Sequence, residues 1–172
     1  MRVPLRKIDF AVYIVCFLVI FMMVLYCIVA WNKIPEQIPS HYDFSGSVRG
    51  YESRAAVLSA PITLIVLVPV LIIVSFFPAA WNFPRMKITQ RNAPAVSACV
   101  RNMLDIMMLL VTATLGTIFV CQVTEKLVPA FFLPVLLALY LVNIVFWLIR
   151  VSIVNRRIMA FAPAEENGGK QD

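Results

Sequence analysis

Charge is scarce in this sequence. Asp, Glu, Lys and Arg together make up 14% of the residues, where soluble globular chains carry about 25%. There is a single histidine, His41. Zinc needs three or four ligands at defined spacing, so no zinc site is legible. The four cysteines, Cys16, Cys27, Cys99 and Cys121, include no CxxC pair. In an apolar run a free Cys serves as a small hydrophobe. A Gly-rich phosphate loop, an HExxH helix and a GxSxG elbow are missing as well. So is an aromatic-interleaved basic module, which sets nucleic acid aside as a partner. The expectation from these gaps is no cofactor, no metal and no catalytic set.

Hydrocarbon is what the chain has in excess. Of 172 residues, 62% are apolar, too many for one soluble domain to bury. Four long apolar runs cover 10–30, 57–77, 103–123 and 128–149. A run of about 21 residues rises roughly 31 Å as a helix, enough to cross the hydrocarbon core. The start MRVPLRKID resembles the basic end of a signal peptide. The run after it exceeds a signal-peptide core of about 7–15 residues and lacks an A-x-A site, so a retained first helix is expected. In the second run Pro61 is tolerated near the start, whereas Pro69 removes a mid-span hydrogen bond and predicts a kink. Only 124–127 separate the third and fourth runs, which predicts an antiparallel helical pair. Pro134 falls in the first turns of the last span.

Lys and Arg set the orientation. Eleven lie in 1–9, 78–102 and 150–172, and four (Lys33, Arg49, Arg54 and Lys126) on the opposite side. The positive-inside rule assigns the eleven to the cytoplasm. The predicted fold is therefore an all-α integral membrane protein with four transmembrane helices and both termini cytoplasmic. A structured extracytoplasmic loop, 31–56, joins the first two helices. Trp31, Tyr51, Trp81 and Trp147 fall near the expected interfaces. A Cys27–Cys121 bridge on the outer side is open by position but not demanded. The end of the tail, AFAPAEENGGKQD, has a disordered composition.

Mid-depth ionisable residues mark function in membranes because they are costly there. The one candidate is Asp105, a turn into the third span and four residues after Arg101 on the same face. An ion pair there, or with Arg91 or Arg150, is the structural reading; a proton or cation site is the functional one. Thr112, Gly116, Ala113 and Thr117 place small residues four apart, a helix-packing face. Its partner helix is either in the same chain or in a second copy, which leaves a homo-oligomer open.

The polar segment WNKIPEQIPSHYDFSGSVRGYESR stands apart. Pro35 and Pro39 make IPEQIPS a stiff, partly polyproline-like strand. Gly46 and Gly50 supply turns. Trp31, Ile34, Ile38, Tyr42, Phe44, Val48 and Tyr51 are too apolar for a solvated tether. A small folded cap on the helix ends is expected. His41, Asp43 and Ser45 supply the residue types of a triad. In an extended HYDFS they would sit about 6.6–7 Å apart along one face, beyond the roughly 3 Å a nucleophile and base need. Hydrogen bonds from His41 and Asp43 to loop backbone and to each other are the alternative.

The pattern W-N-x-I-P-x-x-I-P-x-H-Y-D-x-x-G-x-x-x-G-Y-x-S-R resembles the signature of an uncharacterised bacterial membrane family. That module forms the amino-terminal part of SdpI-type proteins, which confer immunity to a secreted toxic peptide and take part in signalling. The resemblance covers about residues 10 to 77. It implies a motif of Trp31, Pro35, Ile38, Pro39, His41, Tyr42, Asp43, Gly46, Gly50 and Tyr51. Two departures stand out. Arg49 replaces an Asp common before the second Gly, and the carboxy-terminal Gly-x-Arg-Thr-Pro-like core is absent. The implied function is non-enzymatic binding or sensing at the bacterial cell membrane. Its partners would be lipid and an extracytoplasmic peptide or membrane protein. A transporter accessory subunit or small permease is the alternative, and a membrane enzyme built on His41 and Asp43 ranks third.

Overall fold

The computed structural model describes residues 5–77 and 89–160. Four helices dominate: α1 (Lys7–Val29), α2 (Ser59–Phe76), α3 (Ala93–Thr124) and α4 (Phe132–Ala160). Each is long and apolar enough to cross a membrane, and the chain is a membrane protein. Between α1 and α2 lie a 3-10 turn (Trp31–Lys33), β1 (Gln37–Tyr42), β2 (Val48–Ser53) and a second 3-10 turn (Arg54–Leu58).

The bundle is organised around α3. One face of α1 is buried at Asp9, Tyr13, Cys16, Ile20, Met23 and Cys27, alternately three and four residues apart, the spacing of a helical seam. Leu64 and Val68 of α2 and Met108 of α3 complete the centre of the core. Thr112 is buried, and a Cβ added to Gly116 would meet Val19 of α1 at 3.8 Å. The small-residue face of α3 therefore receives α1 of the same chain. Outward-facing Leu, Ile, Val and Phe on every helix remain exposed, as lipid requires. Cys27 and Cys121 are both free and buried.

Helix α4 sits at the edge and buries only Leu136, Asn143 and Val151. Polar bonds tie it to α3: Asn143 Nδ2 donates to the Met103 carbonyl at 3.1 Å, and Thr114 Oγ1 lies 3.1 Å from the Tyr140 hydroxyl. In hydrocarbon such bonds hold helices together where the hydrophobic effect cannot.

Two segments expected as loop or tail are helical. Helix α3 begins at Ala93, not near 103, and α4 runs to Ala160, not 149. The cause is a second small core in which Val96, Cys99, Val100 and Leu104 pack against Val151. Beside it Asn92 Nδ2 donates to Asn155 Oδ1 at 2.7 Å. An apolar run marks where hydrocarbon ends, whereas helix continues as long as one face finds a partner. At the opposite pole α3 ends where Glu125 takes a left-handed conformation (φ 53°), and α4 starts at Phe132 rather than 128. Trp81 and the end of the tail lie outside the described residues.

Candidate functional site

The segment between α1 and α2 is a β-hairpin rather than a polyproline-like strand. β1 pairs antiparallel with β2, Ile38 opposite Glu52 and Tyr42 opposite Val48, with irregularities around His41. Ile34 and Ile38 are buried in the main core beside Val57. Trp31 packs against the same cluster from the 3-10 turn. Pro35 is half-buried and Pro39 buried. The base is pinned twice: Arg54 N–H donates to the Glu36 carbonyl at 2.9 Å, and its guanidinium to the Glu36 carboxylate at 3.2 Å.

HYDFS is not extended; the chain turns at Asp43. The Asp43 N–H donates to the Ser47 carbonyl, and the Gly46 N–H to the Asp43 carbonyl, both at 2.9 Å. Asp43 Oδ1 accepts the Ser45 N–H (2.9 Å), the Ser45 hydroxyl (2.5 Å) and the Ser47 N–H (3.0 Å). Its Oδ2 accepts Arg49 Nε at 3.0 Å. Arg49, the departure from the family pattern, thus completes the turn. Exposed His41 faces Glu52 at 3.2 Å rather than Asp43, so the three triad residue types do not form a relay. Gly46 (φ +80°) seats the tip on the α3–α4 connection, where an added Cβ would lie 2.0 Å from the Val128 carbonyl oxygen. A Cβ added to Gly50 would lie 3.0 Å from Cδ2 of the His41 ring. Tyr42 is half-buried and its hydroxyl has no hydrogen bond among the described residues; burial pushes that phenol up to about 12.

The Ser45 hydroxyl, then the Ser47 amide and Arg49, pull the Asp43 carboxyl from 3.8 down to about 2, against some desolvation. The folded value lies below the unfolded one, so this stabilisation is complete above 3.8 and is lost as pH falls through about 2. NMR shifts of the Ser45 and Ser47 amides should therefore hold through 3.8 and move only as pH approaches 2. Asp43→Asn, which keeps a turn acceptor, should abolish that titration. A midpoint near the ordinary carboxylate value would contradict the network.

A second polar cluster lies at the other pole. Asp105 is buried about three turns into α3, and among the described residues its ion-pair contact is Arg6, at 3.6 Å, rather than Arg91 or Arg150. Arg6 also chelates Asp9 through its backbone N–H (2.9 Å), Nε (2.9 Å) and Nη2. Arg101 Nη1 donates to Asp9 at 3.4 Å, and its guanidinium stands 5.7 Å over the Phe76 ring of α2. Counting from the first apolar residue leaves Asp9 outside the span. The signal that finds it is the buried seam of α1, which starts at Asp9. Among the described residues no three His, Cys, Asp or Glu are grouped to hold a metal.

The hairpin is also where the chain meets known sequences. Residues 18–65 match a domain of unknown function, DUF1648. This DUF1648 segment runs from within α1, through the whole hairpin, into the first turns of α2. No curated protein and no solved structure matches the chain.

Proposed function

We propose that this protein is a non-enzymatic binding or sensing protein of the SdpI-like immunity or signalling type, and that the DUF1648 hairpin is its recognition surface. The carrying observation is a hairpin pinned at base and tip that holds two large aromatics in the open. Phe44 is 63% exposed and Tyr51 is 64% exposed. Pre-organised aromatics bind at low entropic cost, which is why they dominate contact energetics. The loop motif further supports kinship with SdpI-type modules. The uneven Lys and Arg distribution supports a bacterial plasma-membrane topology with both termini cytoplasmic and the hairpin outside. The occupant would be an extracytoplasmic peptide or membrane protein. A transporter accessory role is the second reading, favoured by the buried charges at the opposite pole.

Photocrosslinking amino acids at Phe44 and Tyr51 in native membranes test the idea. A discrete protein or peptide adduct is expected at both, and Phe44→Ala with Tyr51→Ala should weaken capture at a third hairpin position at least tenfold. Labelling no different from that at lipid-facing Ile65 would reject the recognition surface. Separately, Ser45→Cys should react with an impermeant maleimide in intact cells; protection until lysis would invert the topology.

A further inference from the structure

The four charges at the pole away from the hairpin share their hydrogen bonds unequally. Asp9 is fully buried and is ringed by donors from Arg6 and Arg101. Asp105 is 5% exposed, and neither of its carboxyl oxygens receives a hydrogen bond from the described residues. Arg6 stands 3.6 Å away, an ion-pair distance but beyond a hydrogen bond. The same guanidinium nitrogen, Arg6 Nη2, stands against an oxygen of each carboxyl, Asp9 from α1 and Asp105 from α3, and so holds the two together at the α1–α3 junction.

An ionised carboxylate is an acceptor only, and buried without donors it loses its hydration with nothing in return. Two such anions in contact also repel. A protonated carboxyl is itself a donor, and Asp9 offers the acceptor it needs. We infer that Asp105 binds a proton and donates it in a hydrogen bond to Asp9, forming a carboxyl–carboxylate pair that fastens α3 to α1. The proton adds to one Asp105 oxygen, no heavy-atom bond changes, and the cluster's charge rises from zero to plus one. Arg6 can carry that surplus because 36% of its side chain remains exposed at the rim. Arg101, almost wholly buried, stays matched to Asp9.

The titratable and charged groups facing Asp105 are Arg6, which caps α1, Asp9, Tyr13 and Cys16 from α1 and Arg101 from its own helix. From α2 come Ser75, beside Tyr13, and the Phe76 ring, and from α4 Asn143, bonded two residues away at Met103. None of these three titrates. Release of the proton would set two anions against each other and loosen the α1–α3 junction. The site is thus a proton-binding one at the membrane edge, distinct from the hairpin.

Infrared spectroscopy of the full chain in nanodiscs reads protonated carboxyls directly. A buried carboxyl C=O band is expected at pH 7 in the wild type and is expected to vanish in Asp105→Asn. Thermal unfolding gives an independent reading. Asp105→Asn exchanges a neutral acid for a neutral amide and should keep the wild-type midpoint. Asp9→Asn removes the anion that both arginines need and should lower the midpoint by roughly 10 °C. A wild type without the band, a band that survives Asp105→Asn, or equal destabilisation by the two variants would each overturn the proposal.

Discussion

Gly46→Val should lift the hairpin off the helices and cost about 3 kcal/mol of stability. Two effects combine. The backbone at Gly46 has φ +80°, a region that β-branched residues rarely enter. The new Cβ would also fall 2.0 Å from the Val128 carbonyl oxygen and 3.0 Å from its carbon. Both atoms are backbone, so no rotamer change relieves the clash. Gly50 is the contrast. Its added Cβ would meet only the His41 side chain, nearest at Cδ2, 3.0 Å, and that exposed side chain can give way at the expense of its contact with Glu52. Gly50→Ala should cost under about 1 kcal/mol. Thermal unfolding in detergent and limited proteolysis separate the two. Gly46→Val should melt lower and be cut between α1 and α2 while the helices stay intact. Wild-type melting with an uncut hairpin would show that the tip does not depend on this seat.

The same contact explains what the sequence could reveal about the hairpin. Paired Ile-Pro steps announce extended backbone, and spaced glycines announce turns, so a folded cap was legible. Its register was not. The tip rests on Val128, some eighty positions away, and the turn is closed by Asp43, whose acceptors serve Ser45, Ser47 and Arg49. An alternating HYDFS reads as strand until that network is known. The spans themselves were legible because hydrocarbon demands uninterrupted apolar length. Helix ends were not, since the extensions of α3 and α4 are interrupted by polar residues such as Ser97, Arg101, Asn155, Arg156 and Arg157 and survive by packing Val96 and Val100 on Val151. The buried charges were half legible. Asp105 stood out inside a run, whereas Asp9 sat one residue before one and looked like solvated terminus.

Arg101→Met should cost about 4 kcal/mol, because it breaks a buried ion pair from one side. Arg101 lies on α3, reaches Asp9 on α1 at 3.4 Å and stacks over Phe76 of α2 at 5.7 Å. One side chain therefore joins three helices at the pole where no hairpin holds them. Methionine can fill the volume, but it leaves the buried Asp9 anion with Arg6 alone. Arg101→Lys keeps the charge while losing the planar fork and the ring stacking, so it should fall between the two. The double change Asp9→Asn with Arg101→Met removes both buried charges and should recover much of the loss, since the penalty arises from the unpaired partner. Thermal unfolding of the wild type, Asp9→Asn, Arg101→Met and the double variant in one detergent forms the cycle. Additive losses in the double variant would mean that Arg101 acts through Phe76 and packing rather than through Asp9. A recovered double variant would place the Asp9–Arg101 pair at the centre of the three-helix junction.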